Sequence, residues 1–161
     1  MPPHIFKKEN GFEPHALIQS GVDHIAAAEE LFARSPSYFD SAGYLVHMGF
    51  ELLLKAWHLE EFGEFSGTHS LKDLTDQLRA KGQQLNLSGE EIKTLEFADL
   101  YEMLRYPNPN NEIEVGDDDW VKIDCLLATI WNQAPEIFHK FTKSVDPTRK
   151  GGRILMKRKI L

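Results

Sequence analysis

Apolar positions recur along most of the chain at three-and-four spacing, which is the period of a helix rather than of a strand. Leu17, Gly21, Ile25, Ala28 and Phe32 mark one face of a first helix expected over about Pro14 to Ala33. Ser35-Pro36-Ser37 interrupts it, because proline cannot continue the amide ladder. A second helix is expected over Tyr38 to Phe62, with Ser37 as its cap, Asp40 in capping-box position and Gly63 at its end. The third is short, Ser70 to Lys81, with the narrow stripe Leu71, Leu74 and Leu78. The fourth opens with the capping box Ser88-Gly89-Glu90-Glu91 and runs to Arg105, with Ile92, Phe97, Leu100, Met103 and Leu104 as its inner face. A fifth begins at Asp117-Asp118-Asp119, whose carboxylates suit the positive end of a helix dipole. Its apolar face runs from Trp120 through Ile123, Leu127, Ile130, Trp131, Ala134, Ile137 and Phe138 to Phe141, kinked at Pro135. No convincing strand pair is present. The expected fold is all-α, an antiparallel four-to-five-helix up-and-down bundle.

Length and composition fit that picture. A chain of 161 residues, 42% hydrophobic, holds one domain (expected over 1–148) and a basic tail, 149–161. The tail has six basic residues and no acid; the preceding 148 residues set twelve Lys/Arg against twenty-five Asp/Glu, a balance of −13. An acidic body repels a phosphate backbone, whereas the basic tail is suited to hold one or to fold onto an acidic neighbour. The single cysteine, Cys125, excludes an intramolecular disulfide framework and a Cys-rich zinc module. No apolar run approaches the roughly 18–20 residues of a membrane span. The opening MPPHIFKKENGFEPH lacks the apolar core of a secretory signal, which gives a cytoplasmic expectation and no membrane partner.

Two segments carry candidate chemistry. The second helix is apolar over more than half its circumference, leaving a strip of Asp40, Tyr44, His47, Glu51, Lys55 and His58. This strip reads as a solvent face whose His47/Glu51 and Glu51/Lys55 are ordinary i,i+4 pairs; partly desolvated, His47 and Glu51 would instead mark a site. The other segment is Arg105-Tyr106-Pro107-Asn108-Pro109-Asn110-Asn111. Its prolines stiffen a loop that offers one guanidinium and three amides, a set suited to binding phosphate or carboxylate. The alternative there is a structural loop with Arg105 paired to Glu102 or Glu112. Glu136 and His139 have Glu-x-x-His spacing, but di-iron bundles need two such pairs and further inward carboxylates, so no metal is expected. Cys125 lacks an activating histidine at helical spacing, and no Gly-rich phosphate loop exists, so no cofactor is expected.

Three stretches in order resemble the HEPN family of small helical bundles. They are Ala42-Gly43-Tyr44-Leu45-Val46-His47-Met48-Gly49-Phe50-Glu51-Leu52-Leu53-Leu54-Lys55-Ala56, Gly67-Thr68-His69-Ser70-Leu71-Lys72-Asp73-Leu74 and Leu104-Arg105-Tyr106-Pro107. The resemblance spans roughly residues 38–141. It implies a homodimer, often beside a nucleotidyltransferase-like antitoxin in a toxin–antitoxin pair. It also implies metal-independent ribonuclease chemistry through an Arg-x(4–6)-His motif whose two copies meet across the dimer. In that motif the histidine transfers protons at the ribose 2′-hydroxyl and the arginine stabilises phosphorane charge.

Arg105 matches the motif arginine, but Asn110, Asn111 and Glu112 stand where the histidine would be. The expectation is therefore a non-catalytic, dimeric binding or interaction module engaging a nucleotide, RNA or partner protein. Its candidate residues are Arg105, Tyr106, Asn108 and Asn110, with His47 and Glu51 as a second surface. The alternative is a divergent ribonuclease in which His47, Glu51 or a partner's histidine supplies the base.

Overall fold

A computed structural model describes residues 2–106, 110 and 113–141. The chain order is β1 (Ile5–Lys7), α1 (Pro14–Arg34), α2 (Phe39–Phe62), β2 (Glu64–Ser66), α3 (Leu71–Ala80), α4 (Gly89–Leu100), a 3-10 turn (Tyr101–Arg105), α5 (Asp117–Gln133) and α6 (Glu136–His139). The bundle is all-α as expected, with one addition. β1 and β2 form an antiparallel ribbon in which Phe6 faces Phe65. Three-residue strands are too short to show period-two alternation, so the pattern of apolar positions does not reveal them.

The core is built on α2. Val46, Phe50, Leu53, Leu54, Ala56 and Trp57 are sealed from solvent and meet Ile18, Val22, Ile25 and Ala28 of α1. The two helices approach so closely that their glycines are required. A Cβ on Gly49 would lie 2.3 Å from Ile25 Cγ1, and one on Gly21 would lie 3.0 Å from the Gly49 carbonyl oxygen. The other side of α2 receives α3, α4 and the 3-10 turn, with Leu71, Leu74, Leu78, Leu95, Ala98 and Tyr101 buried.

The caps hold in part. Ser88 and Glu91 form the reciprocal box at the start of α4, and Ser70 caps α3 by accepting from the Asp73 amide. At α5 the Gly116 amide donates to the Asp119 carboxylate at 2.8 Å. The expected Ser37 cap of α2 is absent. Ser35 instead accepts from the Ser37 amide and opens a 3-10 turn at Pro36–Tyr38, and α2 begins after Tyr38 without a side-chain cap. At Pro135 the fifth helix stops rather than kinks. Ala134 takes ψ 160, the extended backbone that a following proline favours, and α6 starts afresh.

Two expected faces are inverted. On α4, Ile92, Phe97, Leu100 and Met103 are exposed, and the inner face is Thr94, Leu95 and Ala98, continued by Tyr101; Leu104 alone of the expected set packs on the core. On α2 the polar strip is inside: His47, Glu51, Lys55 and His58 are buried, whereas Leu45, Met48 and Leu52 keep some exposure. The solvent-face reading of His47, Glu51 and Lys55 is overturned, because α3 and α4 pack across that side.

Candidate functional site

Glu51 is the hub of the buried polar face. Its Oε1 accepts from Lys55 Nζ at 2.5 Å and from His69 Nδ1 at 3.1 Å, and Oε2 lies 3.3 Å from the same His69 nitrogen. His47 Nε2 stands 3.5 Å from Oε2. His47 Nδ1 lies 2.9 Å from the Ala98 carbonyl oxygen of α4; because a carbonyl only accepts, the proton is on Nδ1. Nε2 then makes a full hydrogen bond to nothing, and it faces a carboxylate. Holding a proton there resolves the clash of lone pairs.

The charges follow this geometry. Burial opposes ionisation of Glu51, but the facing His47 imidazole, hydrogen bonds from Lys55 and His69 and the Lys55 charge outweigh it and hold the carboxyl at about 2. Burial also lowers the His47 pKa, yet Glu51, the Ala98 carbonyl and the Glu102 charge together raise it. His58, one turn beyond Lys55, is shifted down by burial, and its ring nitrogen bonds the Leu74 carbonyl at 2.9 Å. The cluster is thus a carboxylate shared by three basic groups, of which only His69 reaches solvent, its side chain 60% exposed.

The segment carrying His69 is fixed from a second side. Asp99 of α4 accepts from the Leu71 amide at 2.8 Å, the Lys72 amide at 3.3 Å and the Ser70 hydroxyl at 3.4 Å. A carboxylate at a helix N-terminus is favoured by both the free amides and the dipole. Glu51 and Asp99 therefore fasten the start of α3 to α2 and α4. Helical spacing along α2 shows the Glu51–Lys55 pair, but the roles of His69 and Asp99 arise between elements and leave no mark in periodicity.

The 3-10 turn brings the other candidate group to the rim of the same side. Leu104 packs against Gly43, where an added Cβ would lie 2.9 Å from its Cδ1. Tyr101 is buried beneath the turn, its hydroxyl pKa pushed up by burial and by the Asp119 carboxylate it bonds. Arg105 and Tyr106 are exposed, with the guanidinium carbon 5.5 Å from the Tyr106 ring centroid, and Asn110 is exposed beyond them. Among the described ion pairs Arg105 has none with Glu102. Asn108, like Pro107, Pro109, Asn111 and Glu112, lies outside the described residues, as does the basic tail.

The structure therefore separates the expected site residues into two groups. Arg105, Tyr106 and Asn110 are exposed; His47 and Glu51 are sealed inside and are not a surface. A half-open cleft of about 370 Å³ between the ribbon and α3, lined by Pro3, Ile5, His58, Phe65, Gln77 and Lys81 among others, contains none of them. Among the described residues no cluster of three or more His, Cys, Asp or Glu could hold a metal ion, and no helix is long and apolar enough to cross a membrane. Cys125 is exposed.

A family model described as the HEPN domain matches residues 15–126, from the first turn of α1 to the middle of α5. No curated protein matches the chain. No solved structure does so either.

Proposed function

The chain belongs to the HEPN domain family, and from that premise we propose a non-catalytic binding module, acting as a homodimer. It engages a nucleotide, an RNA end or a partner protein through the rim at Arg105, Tyr106 and Asn110. Asn108 completes the same set in sequence. One observation carries this reading: the rim keeps its guanidinium while the nearby imidazole is spent on structure. Asn110 occupies the first of the three positions where the motif histidine would fall. His47, behind the rim, is wholly buried and bonded to Ala98, so it cannot meet a ribose hydroxyl. Glu51, held near 2 by its partners, is too weak a base to take a proton at neutral pH.

Arg105 and Tyr106 suit an anion beside a planar ring, with the guanidinium taking phosphate and the phenol face stacking on a base. A nucleotidyltransferase-like partner, as in toxin–antitoxin pairs of the family, is the protein-binding version of the same proposal. The test is a thermal-shift panel of nucleoside mono-, di- and triphosphates and short RNAs. Stabilisation by at least one of them, lost in Arg105→Ala, is expected. Silence across the panel removes the nucleotide and RNA forms and leaves the protein partner.

A second reading is a divergent metal-independent ribonuclease. His69 favours it: its Nδ1 donates to the buried Glu51 carboxylate while its side chain stays 60% exposed, an arrangement that orients a general base. It requires RNA cleavage in EDTA, ending in 2′,3′-cyclic phosphate and abolished by His69→Ala as well as Arg105→Ala. RNA left intact over hours rejects it.

A further inference from the structure

We propose that the half-open cleft between the ribbon and α3 is a binding site for a free apolar amino acid in its zwitterionic form. The cleft shares no residue with the rim at Arg105, so this site goes beyond the reading above and stands or falls apart from it. Its size, about 370 Å³, is at the small end of ligand pockets, which run from about 300 to 1,000 Å³. Four elements build it. β1 brings Ile5, with Pro3 ahead of it, and β2 brings Glu64 and Phe65; α2 brings His58, and α3 with its cap residue brings Gln77 and Lys81.

The charges identify the ligand. The lining holds one ammonium, Lys81, and one carboxylate, Glu64. His58 adds no second cation. Burial and the Lys81 charge outweigh its bond to Leu74 and push its pKa down. Its Nε2 lies 2.9 Å from the Leu74 carbonyl oxygen and so carries the proton, which leaves Nδ1 as an acceptor. Neither charge of the lining is spent within the protein. Among the described ion pairs Lys81 and Glu64 have no partner, in each other or elsewhere. The Lys81 ammonium stands 4.4 Å over the Phe62 ring, a contact that holds it in place without neutralising it. Glu64 lies opposite Lys7 across the ribbon, but Lys7 pairs with Glu9. The Gln77 side-chain amide likewise enters no described hydrogen bond.

Opposite charges that line one cleft and stay apart leave space for a molecule that carries both. A free amino acid does so: its carboxylate takes Lys81 and the Gln77 amide, its ammonium takes Glu64, and its side chain lies on Ile5 and Pro3. Hydrogen bonds to ionised groups are about twice as strong as neutral ones, so each end contributes to affinity. A dicarboxylate would set one group against Glu64, and a diamine would set one against Lys81. A hydrocarbon would cover both charges and pair neither. A peptide offers an ammonium at one end and a carboxylate at the other, so either end satisfies half of the site.

Amide NMR titration of the full chain tests this with leucine, phenylalanine and the N-acetyl and amide forms of each, which lack one charge apiece. At least one free amino acid is expected to shift the amides of Glu64–Ser66 and Gln77–Lys81, with its N-acetyl and amide forms each binding about tenfold or more weakly. Two variants separate the charges. Lys81→Met is expected to weaken the free and N-acetyl forms but not the amide form. Glu64→Gln is expected to weaken the free and amide forms but not the N-acetyl form. Lys81 is exposed and Glu64 partly so, and the far-UV CD spectrum of both variants is expected to match wild type. No shift with either amino acid at millimolar concentration overturns the proposal. Binding that neither variant weakens overturns this cleft. N-acetyl and amide forms that bind as tightly as the free amino acid overturn the zwitterion and leave a peptide end as the occupant.

Discussion

Replacing Glu51 by Gln keeps the shape of the hub and removes its charge. The cost follows from two routes. A carboxyl held at about 2 rather than 4.5 contributes about 3 kcal/mol to folding at neutral pH. Independently, leaving a buried cation without its counter-ion costs about 3–5 kcal/mol, and Lys55 is only 6% exposed. The routes agree at about 3 kcal/mol, a large share of the total stability of a domain of this size. The sign with pH is also fixed. Because the Glu51 pKa is depressed, its contribution is complete above 4.5 and is lost as pH falls through about 2. Because the His47 pKa is raised, its contribution is complete below 6.5 and fades as pH climbs through the folded value. Urea unfolding of wild type and Glu51→Gln across the pH range checks this. The difference between them is expected to be greatest between pH 4.5 and 6.5, to shrink towards acid and to decline more gently in alkali. A difference below about 0.5 kcal/mol at every pH, within the range of an ordinary surface change, refutes the account of Glu51 as hub.

Three further outcomes are expected. Gly49→Ala forces a methyl into Ile25 and lowers stability by about 1–3 kcal/mol in chemical denaturation, without change in helix content. Asp99→Ala frees the start of α3; hydrogen exchange is expected to speed up at the Leu71 and Lys72 amides while the α1 and α2 amides stay protected. Ser88→Ala removes one arm of the box at α4 and costs about 1 kcal/mol, read as a lower denaturation midpoint with unchanged slope.

Helices, and most of their ends, are legible in the sequence because they rest on local chemistry. Ser88-Glu91, Ser70, Gly63 and the acids before Trp120 each act within one turn of their own position. What covers a face is not local. On α4 both Ile92-Phe97-Leu100-Met103 and Leu95-Ala98-Tyr101 fit a helical stripe, and the bulkier set is the exposed one. On α2 the polar strip looks like a solvent face until α3 and α4 are placed over it. There His69 and Asp99 supply partners from 18 residues beyond Glu51 and 28 residues beyond Leu71. The candidate site divides on the same principle. Arg105 and Tyr106 were readable as a stiffened rim, whereas the sealing of His47 depends on the Ala98 carbonyl, which no side-chain pattern records. Pro135 shows the limit of a local rule: it announces an interruption, and packing decides that a new helix follows.

The N-terminal ribbon bears on the electrostatics of the whole molecule. Phe6 stacks on Phe65 at 5.1 Å, Phe12 meets both rings edge-on, and the Phe65 ring lies 5.7 Å from Lys55 Nζ. Phe6 and Phe12 thus brace the ring that lies beside the ammonium end of Lys55. Trimming them would admit solvent to Lys55 and raise the local dielectric, so a shortened chain should show a weaker pH dependence of stability with every charged residue still in place.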